Sequence, residues 1–156
     1  MSLHILVVHG ANLELLGRRE PEVYGTVTLG EIRQTIEDRA RTRGHRVTWV
    51  SSNHEGEIVD ALGRAVGDVD GVLINPGAFT HTSVAIRDAL LAVGVPTVEV
   101  HLSNIFAREE FRRKSMISDV VTGVVTGLGA PGTVSAFDAL MDHLEGKGVP
   151  RRGAEG

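Results

Sequence analysis

Short apolar runs alternate along the chain with longer segments in which apolar residues recur at helical spacing. Five runs rich in Val, Ile and Leu are typical of strands buried on both faces of a parallel sheet. They lie at 3–8, 46–50, 71–75, 96–102 and 120–125. Gly10 follows the first run closely, and Pro76 with Gly77 ends the third, as turn residues do.

Helical periodicity fills the intervals between the runs. Thr28 and Glu31 form a capping-box pattern that predicts a helix start, and Gly44 predicts the end of that helix. A second helix follows a cap signal at 52–55, and a last one is predicted over 133–144. The third, predicted from 80–83 to about residue 93, is apolar nearly all round, which favours burial on more than one side and a subunit interface. Residues 107–115 are predicted to be a short charged helix or turn.

Alternation of strands and helices predicts βαβ units with right-handed crossovers. Five strands with about as many helices predict a flavodoxin-like doubly wound parallel sheet, with three layers in the order α/β/α. Ligands of such sheets bind beyond the carboxyl ends of the strands, where the strand order reverses. Residues 10–12, 75–81 and 101–103 follow strands one, three and four, so we expect them to converge on one crevice.

The totals indicate a single domain over 1–146, followed by a loose tail over 147–156. The chain has 156 residues, a net charge of −4 and no cysteine. The charge gives no general attraction for nucleic acid or an acidic membrane, and the lack of thiols excludes disulfides and thiolate metal sites. No apolar run is long enough to span a bilayer and no basic segment precedes the first strand, so we expect a cytoplasmic protein.

The stretch from Gly10 to Gly25 carries the first candidate chemistry. It contains Asn12, the pair Arg18-Arg19 and Tyr24, which is the only tyrosine of the chain. Two interpretations of the phenol stay open at this point: the ring packs the loop onto the core, or the phenol is a base beside a guanidinium. A guanidinium about 4 Å from a phenolate contributes roughly 4 kcal/mol at an effective dielectric constant of about 20. Gly17 and Gly25 bracket the second part of this stretch, which favours a lid.

Ionisable residues inside the fourth strand give a second candidate. Glu99 and His101 are two positions apart, so both side chains point to the same face of the sheet. They form either a purely structural buried pair or an imidazole acid–base group oriented by a carboxylate. His81, just before the third helix, is either part of a polar cap cluster or a ligand contact beside helical N–H groups.

Three further patterns have weaker meanings. Arg108 and Arg113 are expected on a solvated face, whereas Arg112 is placed to reach a substrate hydroxyl or carboxylate. The motif from Gly127 to Gly132 matches a dinucleotide-binding pattern but follows the last strand, which favours a tight turn. No metal-binding spacing accompanies the histidines. We therefore expect no cofactor and no metal.

Several stretches, taken together, resemble the type II 3-dehydroquinate dehydratase family (type II dehydroquinase). The resemblance covers about residues 5–144, and its motifs fall at the ends of strands one, three and four. The stretches that carry it include GANLELLGRREPEVYG, SSNHEGEIVDAL, INPGAFTHTSVAIRDAL and VPTVEVHLSNIFAREEFRRKS. It implies a flavodoxin-like enzyme that eliminates water from 3-dehydroquinate in the anti sense, through an enolate, without metal or Schiff base.

The resemblance also implies roles for individual residues. Tyr24 takes the proton alpha to the ketone, and Arg19 holds it as phenolate. Asn12 helps to hold a water at the enolate oxygen. His101 protonates the departing hydroxyl and is oriented by Glu99. With these partners the base interpretation of the phenol is favoured over the packing one.

The implied substrate contacts come from three places in the chain. Asn75, His81 and Arg112 contact hydroxyl groups of the substrate. Leu102 and Ser103 contact its carboxylate. Asp88 reaches the site of a neighbouring subunit, in a dodecamer assembled from trimers.

Departures from the family pattern lie in the first loop. Members usually have Asn-Gly-Pro-Asn-Leu-Asn at the positions of residues 9–14. This chain has His9, Ala11 and Glu14 in place of the first, third and sixth of these residues. Two alternatives follow: a weakened paralogue acting on a related cyclic hydroxy-ketoacid, and a non-catalytic flavodoxin-like binding module. Glu14 is expected to add negative charge near the enolate.

Overall fold

One five-stranded sheet with entirely parallel pairing forms the centre of the computed structural model, which describes residues 1–147. The strands are β1 (His4–His9), β2 (Arg46–Ser51), β3 (Gly71–Asn75), β4 (Thr97–His101) and β5 (Gly123–Thr126). Their spatial order is β2-β1-β3-β4-β5, which confirms the predicted flavodoxin-like sheet. The order reverses between β1 and β3, so a ligand crevice is expected at the carboxyl ends of these two strands.

Helices cover both faces of the sheet. They are α1 (Pro21–Tyr24), α2 (Leu29–Thr42), α3 (Glu55–Ala65), α4 (Val84–Val93) and α5 (Gly129–Leu144). Apolar side chains of α2 and α5 share one buried cluster with one face of the sheet, and those of α3 and α4 share another with the opposite face. This is the predicted α/β/α arrangement.

Local hydrogen bonds explain where two helices begin. The Thr28 hydroxyl accepts the Glu31 N–H at 3.2 Å, and the Glu31 carboxylate accepts the Thr28 N–H at 2.9 Å, which confirms the predicted capping box. The Ser83 hydroxyl accepts the Ile86 N–H at 2.9 Å and so caps α4. His81 therefore lies before α4, in a 3₁₀ turn at Gly77–His81.

Several predicted boundaries were wrong. Strand β5 begins at Gly123 rather than 120. Residues 107–115, predicted to be a short helix or turn, contain parts of two 3₁₀ turns. The first loop contains α1 and a 3₁₀ turn at Leu13–Leu15. The last helix begins at Gly129 rather than at residue 133. The expected tail lies outside the described residues, except for Lys147.

The glycine-rich motif explains the early start of α5. Gly127, Leu128 and Gly129 all have positive φ values, of 88°, 66° and 60°, which turn the chain directly from β5 into the helix. Pro131 lies in the first helical turn, where its missing N–H costs nothing. A Cβ on Gly132 would lie 2.4 Å from the Gly127 carbonyl oxygen. The turn itself requires these glycines.

Helix α4 is less buried within one chain than its sequence predicted. Ile86, Leu90 and Val93 face the core. Val84 and Leu91 are 51% and 55% exposed, so the expected burial on a second side is absent from this chain taken alone. Within residues 1–147, no helix is both long and apolar enough to cross a membrane.

His9 ends β1 as a fully buried side chain, and neither of its ring nitrogens has a hydrogen-bond partner. Its ring stacks on Trp49, with centroids 4.7 Å apart. Burial disfavours the charged imidazolium and lowers the pKa of His9 to about 3. The neutral ring therefore acts as an aromatic core side chain.

Acid should destabilise the protein through His9. Below pH 6.5, about the pKa of His9 in the unfolded chain, the unfolded chain binds a proton that the folded chain does not bind. The free energy of unfolding therefore falls as the pH is lowered from there to the pKa of His9 in the folded protein. We expect a loss of about 2 kcal/mol from this group between pH 7 and pH 5, at about 1.4 kcal/mol per pH unit. Urea unfolding at the two pH values measures it.

His9→Phe keeps the stacking on Trp49 and removes the titrating group, so this variant should lose about 2 kcal/mol less than the unchanged protein over the same interval. The exposed His54 supplies the control, because His54→Gln should retain the full acid loss. Equal losses in all three proteins would contradict a neutral buried imidazole.

Candidate active site

The carboxyl ends of β1, β3 and β4 open into one cavity with a volume of about 210 Å³. Nine of the eleven predicted site residues line it. These are Asn12, Arg19, Tyr24, Asn75, His81, His101, Leu102, Ser103 and Arg112. The cavity is thus where the strand order predicted the crevice. The two other residues, Glu99 and Asp88, are described below.

The loops after β1 and β3 are in close contact beside the cavity. A Cβ on Gly10 would lie 2.1 Å from the Pro76 carbonyl oxygen, and one on Gly77 would lie 2.6 Å from the Ala11 carbonyl oxygen. The Gly10 N–H donates to the Asn75 carbonyl at 2.8 Å, and the Asn75 side-chain oxygen accepts the Gly77 N–H at 3.0 Å. Only glycine at both positions permits this approach, which fixes Asn75 at the cavity wall.

Tyr24 lies between guanidinium groups at the mouth of the cavity. Its oxygen accepts an N–H from Arg108 Nη1 at 2.8 Å. The Cζ atoms of Arg19 and Arg108 each lie 5.4 Å from the centroid of the ring. The phenol oxygen is thus an acceptor for a positively charged donor.

Arg108 lies in the wall of the cavity, contrary to the prediction from the sequence. It was expected on a solvated face, but its side chain is 17% exposed and lines the cavity. The 3₁₀ turn at Ile105–Ala107 directs the chain from β4 back towards α1. Arg113, expected on the same face, is indeed exposed.

Glu99 and His101 form the second charged group, on β4. Their side chains lie on the same face of the strand, as predicted, and His101 Nε2 donates to Glu99 Oε2 at 2.6 Å. Glu99 is completely buried and also accepts hydroxyl groups from Thr80 at 2.6 Å and Ser115 at 2.9 Å. The carboxylate therefore fixes the orientation of the imidazole, and its two hydroxyl partners were not predicted.

Competing effects set the pKa of Glu99. Burial raises it, but hydrogen bonds from His101, Thr80 and Ser115, together with the charge of His101, outweigh burial and hold the pKa below its usual range. The carboxylate is therefore ionised and acts only as an acceptor. Because Nε2 of His101 donates to it, Nδ1 is the ring nitrogen left for other partners.

His81 has a defined tautomer. Its Nδ1 lies 2.8 Å from the Lys114 carbonyl oxygen, and a carbonyl only accepts, so Nδ1 carries the proton. In the neutral ring, Nε2 is then an acceptor. Arg112 lines the same cavity while its Nε donates to Glu109 at 2.8 Å.

Some sequence candidates lie outside the cavity. Asp88 is exposed on α4 and does not line it. Glu14 does not line the cavity and instead accepts the Ser51 hydroxyl at 2.8 Å. The expectation that Glu14 adds negative charge to the site was therefore wrong. His9 is buried beside Trp49, and only Ala11 of the three departures lines the cavity.

Metal-ligand geometry is absent from residues 1–147, where no three His, Asp or Glu side chains are grouped to hold an ion. The cavity instead combines three guanidiniums, two imidazoles, one phenol and two amide side chains, of which that of Asn75 accepts a backbone N–H. Groups of this kind can bind anions and hydroxyl groups and can transfer protons.

Known proteins with similar sequences and structures share one description. Residues 3–141 match the family model described as dehydroquinase class II. The chain is 54% identical to a 3-dehydroquinate dehydratase of Pseudomonas savastanoi pv. phaseolicola over 94% of this chain and 98% of that protein. It is also similar to the type II dehydroquinase of Butyrivibrio crossotus, with a TM-score of 0.87 and 41% identity over 90% of this chain and 98% of that one. For the Propionibacterium acnes structure of the same description the TM-score is 0.85, with 42% identity over 90% of this chain and 97% of that one.

Proposed function

The chain belongs to the class II dehydroquinase family and is a hydro-lyase, and we propose that it eliminates water from 3-dehydroquinate in the anti sense, through an enolate, to give 3-dehydroshikimate. One observation carries the mechanism. A phenol that accepts a guanidinium N–H and an imidazole that donates to a buried carboxylate line the same cavity. A base and an acid are thus available in one cavity. We assign this activity to a single catalytic domain over 1–146.

Tyr24 is the base in this proposal. As phenolate it takes the proton on the carbon alpha to the ketone, and the electron pair moves to the ketone oxygen to form the enolate. Arg108 donates to the phenol oxygen, and Arg19 adds a second positive charge over the ring. A charge-assisted hydrogen bond of this kind is worth about 1.5–3 kcal/mol. Two guanidiniums therefore lie next to the group that acts as the base.

The enolate oxygen is placed towards Asn12, which holds a water there. Asn12 lies at the end of β1 with a φ of 67°, and its backbone N–H donates to the Asn53 side chain at 2.8 Å. That contact holds the residue in a left-handed conformation that is uncommon outside glycine. The Asn12 side chain borders the cavity, where it orients a water for the developing charge.

His101 is the acid. With Nε2 committed to Glu99, its doubly protonated ring delivers the Nδ1 proton to the departing hydroxyl group. The carbon–oxygen bond breaks, the enolate electrons form the carbon–carbon double bond, and water leaves. Ionised Glu99 stabilises the imidazolium that this step consumes.

Substrate recognition uses the remaining polar groups of the cavity. Asn75, His81 and Arg112 bind the hydroxyl groups. The backbone N–H groups of Leu102 and Ser103, with the Ser103 hydroxyl, bind the carboxylate. His81 supports this assignment because its neutral ring offers Nε2 as an acceptor to a hydroxyl. Although the chain carries a net charge of −4, the cavity is cationic and suits an anionic substrate.

Asp88 acts in a neighbouring subunit in this proposal, within a dodecamer built from trimers. Its exposed position on α4, outside the cavity of its own chain, supports that role. Val84 and Leu91 on the same helix are exposed apolar side chains that a subunit contact would cover. Analytical ultracentrifugation measures the assembly.

The activity is tested by incubating purified protein, treated with a chelator, with 3-dehydroquinate. Ultraviolet absorbance of the conjugated enone follows the product. Turnover confirms the reaction and its independence from metal, and the absence of enone at high protein concentration would reject it.

Replacing Arg108 by Ala should lower kcat by roughly 10- to 100-fold, because the phenolate loses a charge-assisted hydrogen bond worth about 1.5–3 kcal/mol. The single tyrosine gives a second measurement, since phenolate absorbance in the near ultraviolet reports Tyr24 alone. At a fixed alkaline pH the variant should contain less phenolate than the unchanged protein.

Arg113→Ala is the matched control for this variant. It removes an exposed arginine of the same segment that does not line the cavity. Both kcat and phenolate absorbance should match those of the unchanged protein. If the two variants behave alike, the contact between Arg108 and Tyr24 has no part in the reaction.

A further inference from the structure

We propose that Ser115 is a positioning residue that keeps Glu99 ionised and thereby holds His101 in the tautomer with its proton on Nε2. The inference rests on the proposed function for its effect on catalysis, but the hydrogen bonds that carry it belong to the free protein. No part of the sequence analysis singled out this serine.

The direction of the Ser115 hydroxyl is fixed by its own acceptors. Its oxygen accepts backbone N–H groups from Ile117 at 3.2 Å and from Ser118 at 3.1 Å. A hydroxyl has two acceptor positions and one proton, so these two amides leave only the proton free. That proton points to the Glu99 carboxylate, whose two oxygens each lie 2.9 Å from the Ser115 oxygen.

A carboxyl proton on Glu99 would find no acceptor on Ser115. The Thr80 hydroxyl is only 2.6 Å from Glu99, but no N–H of the described residues donates to its oxygen and fixes its direction in the same way. Ser115 is therefore the partner that distinguishes the ionised from the protonated carboxyl group. An ionised Glu99 requires a donor from His101, which is Nε2–H at 2.6 Å.

The backbone around Ser115 is held on both sides, so its hydroxyl cannot easily turn away. The Met116 N–H donates to the Thr80 carbonyl at 2.7 Å. The Met116 carbonyl accepts from Arg87 Nη1 at 2.9 Å, and Arg87 also pairs with Asp119. One residue earlier, the Lys114 carbonyl binds His81. The segment from Lys114 to Met116 thus sets the tautomers of both cavity imidazoles.

Other charges also act on His101, and the pH test takes them into account. Glu99 is its only anionic hydrogen-bond partner within residues 1–147. The ionisable groups that line the cavity with it are Arg19, Tyr24, His81, Arg108 and Arg112. The guanidiniums oppose the imidazolium, so its protonation depends on Glu99. The Ser115 hydrogen bond stabilises the carboxylate most when the imidazole is neutral, so without it the Glu99–His101 pair should lose its last proton at higher pH.

Ser115→Ala should lower kcat about tenfold near neutral pH, with little change in KM, and move the alkaline limb of the kcat profile to higher pH. Ser115→Thr keeps the hydroxyl and should restore both. A serine that served only to fold the segment would change stability without moving that limb. Ser118→Ala, which removes an exposed hydroxyl and keeps the backbone N–H, should match the unchanged protein.

Nitrogen-15 NMR of the ligand-free protein separates this inference from the proposed function, because it needs no turnover. The unchanged protein should show His101 protonated on Nε2 alone once the ring is neutral, and Ser115→Ala should show both tautomers. If Ser115→Ala does not fold, Ser115→Cys, a weaker donor, should give an intermediate mixture. An unchanged spectrum and an unmoved alkaline limb in the variant that folds would overturn the inference, whether or not 3-dehydroquinate reacts.

Discussion

Tyr24→Phe should lower kcat for 3-dehydroquinate by roughly 10³-fold, within the 10²–10⁴ range of a general base, and should leave KM within a few-fold. The ring stays between Arg19 and Arg108, so the packing of the loop is kept. Only the oxygen that accepts from Arg108 is lost. The measurement is the rate of enone formation, compared with the melting temperature of the same sample.

Isotope exchange sharpens this test. In deuterated water a phenolate that removes the alpha proton also returns deuterium to the substrate, so the unchanged enzyme should exchange that position. Tyr24→Phe should stop both exchange and dehydration. A variant that dehydrates at the unchanged rate would show that Tyr24 only packs the loop, which is the other interpretation of its sequence.

Much of the site follows from local rules that a single sequence obeys. The alternation of buried runs and helical segments predicted a parallel sheet, and the carboxyl ends of its strands necessarily meet at one edge. Asn12, Asn75 and His101 were placed together on that ground, and all three line the cavity. The two-residue period of a strand predicted the contact between Glu99 and His101 in the same way.

Residues that act through tertiary contacts gave no local signal. Arg108 lies in a run of alternating charges that is indistinguishable from a solvated helix face, and its partner Tyr24 is 84 residues away. Ser115 has no pattern of its own, because its acceptors and its target are defined only once the segment folds against β4. Glu14 was misplaced for the same reason, since its contact with Ser51 depends on how two loops meet.

Turn geometry limited the prediction of boundaries. The start of α5 depends on the positive φ of Leu128, a conformation that its side chain does not favour. The surrounding glycines supply the rest of the turn, and their pattern alone is equally consistent with a nucleotide-binding loop. Contact between the Gly132 backbone and the Gly127 carbonyl explains the motif without a ligand.

His101→Gln should lower kcat for dehydration by roughly 10²–10⁴-fold, because an amide cannot deliver a proton to the departing hydroxyl. The glutamine NH₂ group can still donate to Glu99, so the buried carboxylate is not left without a partner at this position. Removing the side chain altogether, as in His101→Ala, would add the cost of an unpaired buried charge and confuse the result. The rate of enone formation again gives the measurement.

Exchange separates the acid from the base. In His101→Gln the phenolate of Tyr24 remains beside Arg108, so the alpha proton should still exchange with deuterated water although dehydration has stopped. Tyr24→Phe should lose both processes. Because the enolate forms before the carbon–oxygen bond breaks in the proposed mechanism, only this order permits exchange without elimination. Loss of exchange and elimination together in His101→Gln would mean that the two steps are concerted or that His101 also holds the substrate, and the assignment of separate roles would then be wrong.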